Sequence, residues 1–342
     1  MSDELHMSRA LTLARNGLYT TDPNPRVGCV LVNKGIVVGE GWHEQAGGAH
    51  AEINALRNAG INAKGASAFV TLEPCCHVGH TGPCTRALID AGVVRVVAAM
   101  RDPNPLVDGR GLAELERAGI SVSVGVLEAT ARSLNPGFCS RMLSNRPYVR
   151  AKFAMSLDAR TAMASGESKW ITSADARRDV QKLRARSSAI MTGIGTILAD
   201  NPSLTVRRSE LGNLPFPEAG TVRQPLRVIV DSHFRTPPQS KLLGLLGDTL
   251  IAGTAPISES HALVRRGIKL VSLDEDQGRT IKGHFHNLKT NSIDSGSVRL
   301  TKATMDWFLL PAGVQGRHTK NSLNSYSLTV GQFGVVHEDE VL

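Results

Sequence analysis

The chain has 342 residues, a formal net charge of +8, 41% hydrophobic and 20% charged residues, and a pI near 9.5; at roughly 100–200 residues per domain, two domains are expected. No apolar run reaches the roughly 18 residues of a membrane span, and the acidic start MSDEL lacks the cationic and apolar regions of an export signal, so a cytoplasmic protein without a membrane partner is expected. The positive charge suits an anionic ligand, but an aromatic content of 4% without a basic block disfavours nucleic acid and leaves a small phosphate ester.

In chain order, residues 3–16 repeat like a helix. VGCVLVN and IVVGEGW then form a hairpin about Asn33-Lys34-Gly35. HAEINALRNAG reads as a helix closing on Gly60, SAFVTLEP as a strand, PCTRALIDAG as a helix ending on Gly92, and VVRVVAAM as a buried strand. A further helix (GRGLAELERAG) and strand (SVSVGV) follow. LNPGFCSRMLSNRP loses sharp periodicity, and the domain boundary is placed at Pro147. The second unit begins with YVRAKFAMS, has a helix capped by Ser173, and continues with AIMTG and LRVIVDS. Alternation of strands and helices in both halves predicts an α/β fold of two domains, 1–146 and 147–342. From about residue 279 the sequence shows no sustained period.

All five cysteines, Cys29, Cys75, Cys76, Cys84 and Cys139, fall in the first 139 residues. An odd number in a chain expected inside the cell argues for metal binding over disulfides. His50-Ala51-Glu52 opens a helix, Pro74-Cys75 ends a strand, and Cys84 lies on the next helix. One imidazole and two thiolates supply three zinc ligands, His50, Cys75 and Cys84, and leave the fourth tetrahedral position to water, which marks a catalytic site. Glu52 is placed to shuttle a proton from that water to a ring nitrogen and leaving ammonia. Cys75 is preferred to Cys76 because Pro74 and the strand end fix its direction; Cys29, Cys76 and Cys139 are read as non-ligands. The H-x-E…P-C arrangement resembles the zinc nucleobase deaminases.

Eight residues separate Cys75 from Cys84, where most such deaminases have two. This spacing, with TTDPNPRVGCVLV, GEGWHEQAGGAHAE, VTLEPC and AAMRDPNPLVDGRG, resembles the riboflavin biosynthesis deaminases over roughly the first 145 residues. The resemblance implies a cytidine-deaminase-like three-layer domain. Its implied substrate is 2,5-diamino-6-ribosylamino-4(3H)-pyrimidinone 5′-phosphate, with Asn24 at the base and His43 near the ribose phosphate. The family usually has Lys or Arg at His80 and Pro at Gly82, which implies a weaker phosphate contact here.

VRAKFAMSLDARTAMASGESKWITS, RRDVQKLRARSSAIMTGIGTILADNPSLTVR and PLRVIVDSHFRTP resemble the reductase domain fused to this deaminase in bifunctional bacterial enzymes. That resemblance implies a dihydrofolate-reductase-like α/β domain using NADPH to reduce the ribosyl group to ribityl. It places Ala154, Trp170, Thr196, Asp200 and Ser232 at NADPH, and Ser168, Arg184, Leu204 and Arg207 at the substrate. It ends at about residue 278, and 279–342 do not match. The family's later E-(G/A)-G-x-x-L turn is missing, and no Glu occurs between Glu275 and Glu338. A bifunctional zinc hydrolase and NADPH oxidoreductase is therefore expected, with its second activity impaired. An RNA or nucleoside editing deaminase is the alternative, and a zinc-stabilised interaction protein is disfavoured by Glu52. The sequence leaves room for a homo-oligomer.

Overall fold

A computed structural model describes residues 2–77, 82–156, 158–212, 222–258 and 261–272, with strand segments at 274–276, 280–284, 297–301 and 327–331. The chain divides into two compact units, the first built on Met1–Tyr148 and the second beginning at Val149.

The first unit contains α1 (Asp3–Ala14), β1 (Gly28–Asn33), β2 (Ile36–Trp42), α2 (Ala51–Ala59), β3 (Ser67–Val70), α3 (Cys84–Asp90), β4 (Arg95–Ala98), α4 (Arg110–Arg117), β5 (Ser121–Val124), α5 (Glu128–Leu134) and α6 (Pro136–Ser144). The sheet order is β2-β1-β3-β4-β5; β1 is antiparallel to β2 and β3, and β3, β4 and β5 run parallel. The expected hairpin turn is present: Asn33 pairs with Ile36, and Lys34 and Gly35 both have positive φ, at 50° and 78°, the backbone that matches the twist of tight hairpins.

Strand alternation divides the core between the two faces of the sheet. Val30, Val32, Phe69 and Val97 pack with Met7 and Leu11 of α1, Ala131 of α5 and Phe138 of α6. On the other face Cys29, Leu31, Val70 and Val96 pack with Ala51 and Ala55 of α2, Leu88 of α3 and Leu115 of α4. The result is a three-layer α/β/α domain. Two glycines of β2 let α2 approach closely. A Cβ at Gly39 would lie 2.4 Å from the Ala55 carbonyl oxygen, and one at Gly41 would lie 2.4 Å from the Ala55 nitrogen. A side chain at either position would push α2 away.

Two local expectations differ from the structure. LNPGFCSRMLSNRP is mostly helical: α6 starts with Pro136 in its first turn, where the missing N–H costs nothing. β3 ends at Val70 instead of running through Pro74, because the following residues turn to serve the site.

The second unit contains β6 (Tyr148–Lys152), α7 (Ala174–Ala185), β7 (Ala189–Gly193), α8 (Ile194–Asp200), β8 (Leu226–Val230), β9 (Thr249–Gly253), α9 (Ala262–Arg265), β10 (Lys269–Ser272), β11 (Asp274–Asp276), β12 (Thr280–His284), β13 (Ser297–Thr301) and β14 (Ser327–Gly331). Ser173 caps α7 as expected, its hydroxyl accepting from the Ala176 N–H at 3.2 Å. The main sheet has the order β10-β9-β8-β7-β14-β6, with β7 to β10 parallel around Ile190, Ile229, Ile251 and Leu242. The tail contributes more order than its composition suggests. β14 lies antiparallel to β7, Ser327 opposite Thr192, and β11, β12 and β13 form an antiparallel sheet. Pairing to a partner strand supplies order that no local period announces.

Candidate active site

His50 precedes the first residue of α2 in extended conformation, φ −71° and ψ 162°, and its side chain does not cap the helix. Its imidazole is thus available to ligands beyond α2. Cys75 follows the turn after β3, and Cys84 is the first residue of α3. His50 Nδ1 lies 3.3 Å from Cys84 Sγ and 3.5 Å from Cys75 Sγ, and the three ligand atoms lie within 4.8 Å of one another. Tetrahedral zinc with its usual bond lengths requires N···S separations of about 3.6 Å, so the donor set fits the ion. Cys76 is outside this group, while Cys29 and Cys139 belong to opposite faces of the core.

The electrostatics follow from burial. Hydrogen bonds from Cys84 and His50 pull the Cys75 thiol well below its ordinary value, and Cys75 with burial holds the proton on Cys84. Glu52, in the first turn of α2 and 3% exposed, is pushed up to about 7, chiefly by burial and then by the charge of Cys75. Its carboxyl can therefore hold or release a proton near neutrality.

Asn24 and His43 meet at the open end of the hairpin. Asn24 Nδ2 lies 3.0 Å from His43 Nε2, and His43 Nδ1 lies 3.0 Å from the Ala49 carbonyl oxygen. A carbonyl can only accept, so Nδ1 carries the hydrogen and Nε2 accepts from the Asn24 amide. His43 is 2% exposed, and burial lowers its pKa, which keeps it neutral. Its ring thus holds the Asn24 side chain by a hydrogen bond. His80 lies outside the described residues; Gly82 is among them.

Glu73 is a further site residue that the motif reading passes over. Its carboxylate, 3% exposed, accepts backbone N–H groups from Asp102, Gly109, Gly111 and Leu112 at 3.0–3.4 Å. This fastens the 102–112 segment and the start of α4 against the chain two residues before Cys75. Thr85 extends the tie, donating to Glu114 of α4 at 2.9 Å. The only sequence signal is an acid in LEPC that neither binds metal nor faces solvent.

In the second unit, α7 places Arg184 so that it donates to the Thr205 carbonyl at 3.1 Å. Burial and the nearby Arg207 lower Arg184 to about 10. Lys152 is lowered by burial and by Arg184, and Arg207 pairs with Glu210 at 2.6 Å. Leu204, 3% exposed, is beside this cationic group in sequence, with φ 49°. Thr196 lies in the first turn of α8, which directly follows β7, Asp200 is the last residue of α8, and Ser232 lies two residues after β8. Asp200 is thus at the far end of α8, whereas Thr196 and Ser232 lie near the C-terminal ends of adjacent parallel strands, where open α/β sheets receive ligands. A Cβ on Gly193 at that end would meet nothing within 4 Å. Ala154 follows β6. Trp170 is 70% exposed, with the Arg177 guanidinium 4.3 Å from its ring centre, so it is not a core residue. Ser168 is half-buried.

A three-layer α/β/α domain with a His-Cys-Cys group beside a buried Glu defines a zinc-dependent deaminase, here joined to a second α/β unit. The family profile for the cytidine and deoxycytidylate deaminase zinc-binding region matches residues 1–100, and that for the RibD C-terminal domain matches 147–295. The second match extends past residue 278. The Escherichia coli (strain K12) riboflavin biosynthesis protein RibD is 56% identical over 257 residues, 74% of this chain and 70% of that protein. Solved relatives include Acinetobacter baumannii RibD (47% identity, TM-score 0.73, 81% of this chain and 75% of that one). A second is a diaminohydroxyphosphoribosylaminopyrimidine deaminase/5-amino-6-(5-phosphoribosylamino)uracil reductase from Thermotoga maritima (30%, 0.69, 96% and 98%). The chain belongs to the RibD family of bifunctional riboflavin biosynthesis enzymes. Its cofactors are zinc in the deaminase domain and NADPH in the reductase domain. Among the described residues no helix is long and apolar enough to cross a membrane.

Proposed function

We propose that residues 1–146 hydrolytically deaminate 2,5-diamino-6-ribosylamino-4(3H)-pyrimidinone 5′-phosphate. Residues 147–342 are assigned to NADPH-dependent reduction of the ribosyl group of the product, in the cytoplasm. The observation carrying the first step is the convergence of His50, Cys75 and Cys84 beside buried Glu52. When bound, zinc supplies Lewis acidity that makes a water nucleophilic near neutral pH. Glu52 would accept one proton from the water and deliver it to the ring nitrogen, then accept the second proton from the hydroxyl added to the ring carbon and deliver it to the departing amine, which leaves as ammonia; a carboxyl of pKa about 7 suits both transfers. Asn24, held by neutral His43, orients the pyrimidine. In the second unit, Lys152, Arg184 and Arg207 suit the substrate phosphate, and the ends of β7 and β8 suit the cofactor.

An editing deaminase acting on RNA is not favoured, because the second half matches the RibD C-terminal domain. The test is ammonia release by the purified full chain from the phosphorylated pyrimidine and from tRNA, before and after chelation. Zinc-dependent turnover of the small phosphate alone is expected; turnover of tRNA alone would overturn the assignment.

A further inference from the structure

Asn135 lies between α5 and α6, in the N-cap position of α6. Asparagine is favoured there because its side chain ordinarily accepts from the first free N–H groups of the helix. Asn135 makes no such bond. Its amide is instead used on a segment 109 positions away: Oδ1 accepts from the Arg26 backbone N–H at 2.8 Å, and Nδ2 donates to the Arg26 carbonyl oxygen at 2.8 Å. Asn135 is 2% exposed and Arg26 4%. Two short bonds from one planar amide to both polar groups of one residue imitate a strand partner and fix residue 26 in position and rotation.

The residues on either side show what that fixation serves. Asn24 lies two residues before Arg26, and its amide meets His43 Nε2. Val27 follows Arg26, and its carbonyl accepts from the His43 N–H at 2.9 Å. Gly28 then enters β1, its N–H donating to the Thr71 hydroxyl at 3.1 Å. Arg26 thus links the loop carrying Asn24 to the residue just after β2, His43. Asn135 lies beyond the 1–100 region shared with cytidine deaminases generally, so the registration comes from the two helices that close this domain.

We propose that Asn135 is a positioning residue for the pyrimidine substrate, acting through Arg26 to hold Asn24 against His43. The inference rests on the reading of Asn24 as a substrate contact. Loss of the amide leaves the zinc ligands and Glu52 in place but lets the Asn24 loop shift, so substrate affinity falls while the metal stays.

The experiment measures deaminase KM and kcat on the phosphorylated pyrimidine, zinc content and thermal stability for Asn135→Ala, Asn24→Ala and the double variant of the full chain. Asn135→Ala should raise KM about tenfold, the factor that one to two net hydrogen bonds represent, with zinc near one per chain. In the Asn24→Ala background the same substitution should have almost no further effect on KM, because both remove one interaction. Asn135→Asp keeps the Oδ1 acceptor for the Arg26 N–H and should fall between wild type and Asn135→Ala in KM, which provides a reading should the alanine variant not fold. A raised KM for Asn24→Ala with unchanged KM for both Asn135 variants overturns the positioning role alone. Independent, additive effects of the two alanine substitutions also overturn it, since a merely structural loss would add. An unchanged KM for Asn24→Ala overturns the substrate-loop reading, and the inference with it.

Discussion

Glu52 occupies the first turn of α2, where a helix N-terminus favours an anion, yet burial outweighs that benefit and moves its pKa to about 7. Glu52→Gln preserves volume and the metal ligands but removes the proton shuttle. Deamination should fall by at least about 10²-fold with zinc retained, checked by turnover and metal analysis of the same sample. Asp102 shows the same physics with a different consequence. It is 7% exposed, and burial raises it to about 7 despite the bond it accepts from the Asn104 N–H. Because the folded value lies above the unfolded value of about 3.9, ionisation opposes folding, and the penalty grows between about pH 4 and pH 7 and is constant above. Asp102→Asn keeps the Oδ1 acceptor and should be more stable than wild type at pH 8, by up to about 4 kcal/mol, with the difference vanishing towards pH 4. Melting temperatures at the two pH values check it. The His50–Cys75–Cys84 cluster is legible in the sequence because HAE and LEPC each carry chemistry within a few positions. Glu73 and Asn135 are not, because their partners lie 29–39 and 109 positions away and neither residue type is rare.

The metal centre is assembled from the start of α2, the turn after β3 and the start of α3. Glycines at 39 and 41 let α2 lie against β2, and the ties from Glu73 and Thr85 hold α4 against the Cys75 turn and α3. Within this arrangement the first residue of α3 belongs to the His50–Cys75–Cys84 cluster and Cys76 does not. Cys84→Ser should lower zinc occupancy sharply, whereas Cys76→Ser should leave it near one per chain; metal loss in Cys76→Ser would move the ligand assignment by one residue. The hairpin, α2, α3, α4 and the parallel strands follow from period and turn residues in the sequence. The α5–α6 pair does not, although Pro136 could have marked a helix start, because two short helices meeting at Asn135 interrupt any period of 3.6. The strands after Ser272 are similarly hidden, since their order comes from pairing.

On the scale of the whole molecule, the two units differ in how completely known chemistry maps onto them. Each deaminase residue singled out lies among described residues, apart from His80. In the second unit, the family profile ends at residue 295, and the tail has no Glu between Glu275 and Glu338. β14 fills a place in the sheet beside β7, but a strand supplies no acid for the substrate and no glycine turn whose N–H groups face a pyrophosphate. Purified full-length protein should therefore deaminate well and reduce weakly, measured as NADPH consumption on pre-deaminated substrate. Turnover matching that of an intact bifunctional relative would show that the tail rebuilds the missing turn.

The amide of Asn135 also bears on the order in which the first domain forms. Within the sheet, β1–β2, β3–β4 and β4–β5 are neighbours in sequence as well as in space, so most of its loops are cheap to close and the sheet can assemble early. The bond pair to Arg26 closes a loop of 109 positions and is expected among the last steps. During synthesis the Asn24 loop must wait for the helices at the far end of the domain before it takes its final place. Asn135→Ala should accordingly leave the folding rate nearly unchanged and raise the unfolding rate, the pattern of a contact absent from the transition state. Stopped-flow refolding and unfolding of the two proteins would read it directly. The pyrimidine end of the site would then be completed after the sheet that carries it.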